Sequence, residues 1–278
     1  MSKIIKLQST VLLDGLKFPE GPRWHDKKLW FSDMDEYKIL TLDTDGNLEV
    51  VLTRPNRVSG LGWLSDDSLI FVSMEDQRLF KYTSGDISEY ADLNNIATFY
   101  LNDMIIDKKD RVYVGNFGFD YFNRASFVPA EIIMVSPDGN IKVVAKDMAF
   151  PNGMVITPDG RTLIVAETFA TRLTAFDIQE DGSLINRRIW ASLRSLPPDG
   201  ICLDEGGGIW TSAPGRHRVV RVVEGGEITH IVKIETDSYA CILGGPDRKR
   251  LFIATSDHTR TNGKIEFVDV EYAGAGLP

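Results

Sequence analysis

A short strand pattern recurs six times along the 278 residues, and this recurrence limits the fold more than any other feature. The openings are Glu20-Gly21-Pro22-Arg23-Trp24, Ser59-Gly60-Leu61-Gly62-Trp63, Asn102-Asp103-Met104-Ile105-Ile106, Asn152-Gly153-Met154-Val155-Ile156, Asp199-Gly200-Ile201-Cys202-Leu203 and Ala240-Cys241-Ile242-Leu243-Gly244. A second apolar run follows each opening, as in Leu29-Trp30-Phe31, Val112-Tyr113-Val114 and Leu163-Ile164-Val165. A period of about 40 to 50 residues made of short strands marks a radial β architecture. Turn signals such as Asp45-Gly46, Asp138-Gly139, Asp159-Gly160 and Gly225-Gly226 separate the strand-type runs, because these residues supply the positive φ that hairpins demand. Each unit therefore reads as a four-stranded antiparallel sheet. Six units predict an all-β, six-bladed β-propeller spanning residues 1–278 as one domain. The leading segment, residues 3–13, has strand character and is expected to pair with the last blade near residues 264–268, closing the ring and removing a free edge.

Composition narrows the function classes. A net charge of −9 lacks the basic face that nucleic acid or an anionic membrane requires. No secretory leader is visible in Met1-Ser2-Lys3-Ile4-Ile5-Lys6, and no apolar run is long enough to span a bilayer. Cys202 and Cys241 sit in apolar strand patterns and suit buried thiols, although neighbouring registers leave a disulfide open. Two cysteines form no disulfide framework, so a cytoplasmic location is expected.

In a propeller, equivalent positions of successive repeats face one axis. Four of the six openings carry side-chain oxygen: Glu20, Asn102, Asn152 and Asp199. Taken singly, an Asn or Asp before Gly is usually a turn residue that caps its own backbone. Turn chemistry does not, however, place each one at the start of an apolar strand in the same phase. Two carboxylates and two amides, with no imidazole or thiolate, are the ligand set a hard divalent ion such as calcium prefers, with positions left for water and substrate. The remaining openings, Ser59 and Ala240, are small and would leave room. Residues 116–127 hold five aromatics, among them Phe117, Phe119 and Tyr121, and read either as a loop folded back on its blade or as an aromatic wall over the central pocket. Glu167, His217 and His258 are weaker candidates that suit solvated positions. No Gly-x-Ser-x-Gly elbow occurs, and Gly206-Gly207-Gly208 opens no helix, so it reads as a hairpin turn.

Glu20-Gly21-Pro22-x-Trp24, Asn102-Asp103, Pro151-Asn152-Gly153 and Pro198-Asp199-Gly200, in this order, resemble the motifs of the regucalcin (senescence marker protein)/gluconolactonase/luciferin-regenerating-enzyme-like family. The resemblance runs on through Leu243-Gly244-Gly245 and Gly263-Lys264-Ile265, essentially the whole chain. It implies a six-bladed propeller with one catalytic divalent cation, commonly Ca2+, with Zn2+ or Mn2+ as alternatives. It further implies that Glu20, Asn152 and Asp199 ligate the metal, that Asn102 touches metal or substrate, and that Asp199 is the general base.

A metal-dependent hydrolase that opens a lactone or cleaves an ester follows, with a small-molecule substrate and neither nucleic acid nor membrane as partner. One position departs from the family pattern. Sugar-lactone members commonly carry Arg two residues before the Asn, and Tyr100 stands there instead. With Phe117, Phe119 and Tyr121 nearby in sequence, this substitution favours a less polar or aromatic lactone over an aldonolactone. A gluconolactonase-like activity, a phosphotriesterase-like hydrolase and a non-enzymatic calcium-binding propeller are the alternatives.

Overall fold

A computed structural model describes residues 4–277. Six sheets of antiparallel strands follow one another in chain order, each running outward from an inner strand. Blade 1 comprises Pro19–His25, Lys28–Asp33, Lys38–Leu42 and Leu48–Thr53. The inner strands of blades 2 to 6 are Val58–Trp63, Leu101–Ile106, Pro151–Ile156, Ile201–Leu203 and Asp237–Gly244. The ring is the expected six-bladed propeller.

Burial follows position within the blade. Second strands such as Leu69–Ser73, Val112–Asn116 and Ile209–Ala213 are buried at every residue, because both their faces meet neighbouring blades. Outer strands are half solvated, and Leu48–Thr53 exposes four of six residues. The apolar core therefore lies between blades. Ile70, Val72 and Leu79 of blade 2, for example, pack with Met104, Val112 and Val114 of blade 3. Among the described residues helix is confined to two short 3-10 turns, Met34–Glu36 and Thr168–Ala170.

Ring closure departs from expectation in one respect. Thr10–Leu16 pairs antiparallel with Gly263–Asp269 and completes blade 6, as the strand pattern predicts. The earlier part of the leading segment does not join it. Ile5–Gln8 instead adds in parallel to Ile228–Lys233, the outer strand of blade 5, giving that blade a fifth strand. One short segment thus covers two edges that would otherwise be open. Lys3 lies outside the described residues. At the opposite end of the chain, Leu277 exchanges backbone hydrogen bonds with Ile156, and Ala275 donates to Leu203 O. The C-terminal segment crosses the far ends of the blade 4 and blade 5 inner strands, opposite the end at which the repeat openings lie. Cys202 and Cys241 are both buried and both free.

Candidate active site

Each inner strand except that of blade 5 breaks its ladder where the repeat opens. Register shifts fall between Glu20 and Arg23, Val58 and Leu61, Leu101 and Met104, Pro151 and Met154, and Ser238 and Ala240. Asp199 lies just before its strand. A bulge releases a residue from cross-strand pairing and re-aims its side chain. Glu20, Asn102, Asn152 and Asp199 all line one cavity of about 100 Å³. Asn102, Asn152 and Asp199 are each 7% exposed.

The sixth opening needs correction. The bulge between Ser238 and Ala240 leaves Tyr239, not Ala240, in the equivalent place, and its ring lines the cavity. Space expected to be empty is filled by a phenol. Ser59 is small, as read, and its hydroxyl donates to Asn102 O at 2.7 Å.

Close backbone approach holds this ring of residues together. Gly153 N donates to Asp199 O at 3.2 Å, and Gly200 N to Tyr239 O at 2.8 Å. A Cβ on Gly153 would stand 2.6 Å from Ile201 N, and one on Gly200 would stand 2.4 Å from the Cβ of Ala240. The glycines after Asn152 and Asp199 are thus required by packing. Side chains complete the connection. Asn102 Nδ2 donates to Pro151 O at 3.1 Å, Asn152 Nδ2 to Thr168 Oγ1 at 3.3 Å, and Thr168 Oγ1 to Pro198 O at 2.8 Å. Each amide commits one N–H to this frame, and its oxygen can face the cavity as a ligand.

The electrostatics are costly without a cation. Burial, reinforced by Asp103, pushes the Glu20 carboxyl up to about 7 despite a hydrogen bond from Gly21 N. Burial, then the Glu20 and Asp103 charges, drives the Asp199 carboxyl well above the usual range. Asp199 Oδ1 is buried and accepts no hydrogen bond. Asp103 is itself neutralised by Arg23, whose Nη2 donates to it at 2.7 Å in a buried pair. A desolvated carboxylate oxygen with no donor, beside a second carboxylate, fits a hard cation. Among the described residues no three His, Cys, Asp or Glu side chains are grouped to hold a metal, so the two amides must complete such a set.

Acids at the ends of second strands support the approach to the site. Asp33 accepts from Lys17 N and Phe18 N, just before Glu20. Glu167, fully buried, accepts from Ala149 N at 2.7 Å, just before Asn152, and pairs with Arg172. Glu167 is therefore buried rather than solvated, and it braces the site from outside. His217 bonds Thr236 O at the exposed surface, and His258 is exposed.

The aromatic segment divides. Phe117 and Tyr121 line the cavity, whereas Phe119 and Tyr100 are not among its lining residues. Phe119 packs behind, against Phe150 and Phe169, and Tyr100 stacks on Phe99. Further walls come from Phe18, Met34, Phe122, Phe150, Thr168, Phe169, Pro214 and Arg260, none of which the strand openings single out. Their signal is in the repeat all the same. Phe18 and Phe150 stand two residues before Glu20 and Asn152, while Met34, Phe117, Thr168 and Pro214 each follow the last residue of a second strand.

The model of the SMP-30/Gluconolactonase/LRE-like region matches residues 18–257. Pentonolactonase XacC of Haloferax volcanii is 25% identical over 243 residues, which cover 85% of this chain and 81% of that protein. L-arabinolactonase of Azospirillum brasilense is 23% identical over 244 residues, 84% of this chain and 80% of the relative. A solved regucalcin from Agrobacterium tumefaciens, described as a calcium-binding protein, superimposes with a TM-score of 0.85 over 100% of this chain and 99% of its own, at 20% identity. That last likeness concerns the fold alone.

Proposed function

The chain belongs to the SMP-30/gluconolactonase/LRE-like family, and on that premise we propose that it is a divalent-cation-dependent lactonase acting on small lactones or esters. Glu20, Asn152 and Asp199 are the residues proposed to hold the cation, with calcium the first choice for an all-oxygen set and zinc or manganese as alternatives. Asn102 adjoins them, against cation or substrate. The observation that carries the reading is Asp199 Oδ1, a buried carboxylate oxygen with no partner in a cavity it shares with a second acid. Scaffold propellers have no use for so costly an arrangement.

Such a cation, when bound, supplies Lewis-acid polarisation of the ester carbonyl. Asp199 accepts the proton of the attacking water and later returns it to the departing alkoxide. With the cation bound, Asp199 would be held as the carboxylate, the form that can accept that proton. Tyr239 and Asn102 border the same space and can orient the lactone ring. Phe18, Phe117, Tyr121, Phe122, Phe150 and Phe169 make much of the wall aromatic and exclude water from it. This wall supports an apolar or aromatic lactone. Tyr100 contributes behind it, through Phe122 and through its carbonyl, which accepts from Phe117 N.

The sugar-lactone names of the relatives support a second reading, and the polar groups of Asn102, Asn152 and Thr168 are consistent with it. Competition between arabinonolactone and dihydrocoumarin in a pH-drop assay, with chelator and with added Ca2+, Zn2+ or Mn2+, decides between the two. Turnover of neither, with or without metal, overturns the lactonase reading.

A further inference from the structure

Arg260 enters the cavity from a place where no motif points. It belongs to the blade 6 loop between Arg250–Ser256 and Gly263–Asp269, and it lines the same cavity as Glu20, Asn102, Asn152 and Asp199. The loop is pre-shaped. Asp257 Oδ1 accepts from Thr259 N and Thr261 N, each at 3.1 Å, and Arg260 N donates to Asp257 O at 3.1 Å. Arg260 is thereby held in the left-handed region, with φ of 56°. A non-glycine residue adopts that conformation only when its surroundings enforce it.

The guanidinium is also fixed in direction. It lies 4.1 Å from the Phe18 ring centroid and 5.2 Å from that of Phe122. Phe122 is flanked by a second guanidinium, Arg57, also at 5.2 Å. The two arginines differ in what they do with their donors. Arg57 Nε bonds Asp35 at 2.8 Å and its Nη1 bonds Glu75 at 2.9 Å. Arg260 has only a 3.7 Å approach to the same Asp35, beyond hydrogen-bond distance, and among the described residues its guanidinium donates no hydrogen bond. An arginine aligned by aromatic faces, with its fork of donors uncommitted and turned to a cavity, is built for an oxyanion such as a carboxylate or sulfonate.

We propose that Arg260 anchors the substrate, and that the substrate is a lactone bearing a carboxylate, held by Arg260 between Phe18 and Phe122 while the ring lies over Glu20, Asn152 and Asp199. The substrate class rests on the lactonase reading; the anion site itself does not. The cation lost at Tyr100 relative to sugar-lactone members is thus replaced from another blade, and the cavity is aromatic with one charged corner rather than uniformly apolar.

The test uses two lactones that differ in one group, dihydrocoumarin and dihydrocoumarin carrying a ring carboxylate, with wild type, Arg260→Gln and Arg260→Lys. Wild type is expected to prefer the charged lactone, and Arg260→Gln to collapse that preference by about 10- to 100-fold, mainly through KM, the span of a charge-assisted hydrogen bond. Arg260→Lys, which keeps the charge but not the fork, falls between. An unchanged preference in Arg260→Gln overturns the proposal. A second measurement needs no turnover. Calorimetric titration with phenylmethanesulfonate and with benzyl alcohol should show the anion binding about tenfold or more tightly to wild type than to Arg260→Gln, with no such difference for the alcohol. Equal sulfonate binding overturns the anion site, whereas selective binding without hydrolysis of either lactone leaves that site standing and removes only the lactonase reading.

Discussion

Replacing Glu20 by Gln should have opposite effects with and without a divalent cation. Without one, the folded Glu20 carboxyl binds its proton up to about pH 7, against 4.5 for the ordinary group. Between those values the folded state holds more protons than the unfolded state, so stability falls as pH rises through the window. Linkage across this interval gives a loss of about 2.5 kcal/mol between pH 5 and pH 8 from Glu20 alone. With an unfolding entropy of about 2.1 cal/mol/K per residue over 278 residues, this is a drop of about 4 °C in Tm. Asp199, also raised, adds in the same direction. His230 acts oppositely, because its pKa is lowered by burial and by Arg221, and the folded state gains on the unfolded one as pH rises toward 6.5. Comparison with Glu20→Gln cancels that term. Scanning fluorimetry in chelator at pH 5, 6, 7 and 8 should show a shallower decline in Glu20→Gln than in wild type, and higher stability at pH 8. In calcium the order reverses, since the variant has lost a ligand charge and wild type is stabilised by binding. Parallel pH profiles in chelator would refute the claim that Glu20 is held protonated by its burial.

Other expectations concern the site and its frame. Asp199→Asn should abolish lactone hydrolysis, by at least about 100-fold, while the far-ultraviolet circular dichroism of the β-propeller is retained; turnover near wild type removes Asp199 as proton acceptor. Metal affinity should weaken as pH falls from 8 to 6, because protons compete for Glu20 and Asp199, and calorimetry in two buffers should show protons released on binding. Gly153→Ala drives a Cβ into Ile201 N and Asp199 O, and should cost about 1–3 kcal/mol in urea unfolding together with much of the activity. Arg23→Met strands the buried Asp103 charge and should cost about 3–5 kcal/mol, with partial recovery in the Arg23→Met, Asp103→Leu double variant.

The phase of the repeat was legible because propeller geometry maps sequence period directly onto rotation about an axis. Six apolar openings in step, with turn residues between them, specify blades whatever loops join them. For the same reason Glu20, Asn102, Asn152 and Asp199 could be brought to one cavity from their spacing alone. The acids at strand ends were less transparent. Glu167 looks like a solvated residue in sequence, and only the packing of Ala149, Arg172 and Thr174 around it shows a buried brace.

Strand phase, blade count and the identity of the four converging polar residues therefore belong to the sequence, since all depend on local pattern repeated at a fixed period. Tertiary structure decided what surrounds them. A one-residue bulge places Tyr239 rather than Ala240 at the sixth position, and a parallel pairing sends Ile5–Gln8 to blade 5 instead of blade 6. It decided, too, that Phe117 and Tyr121 line the cavity while Phe119 and Tyr100 stand behind it, and that Arg260 reaches the cavity from a blade 6 loop. Bulge register and loop reach depend on contacts between residues far apart in the chain, and a strand's own alternation carries no record of them.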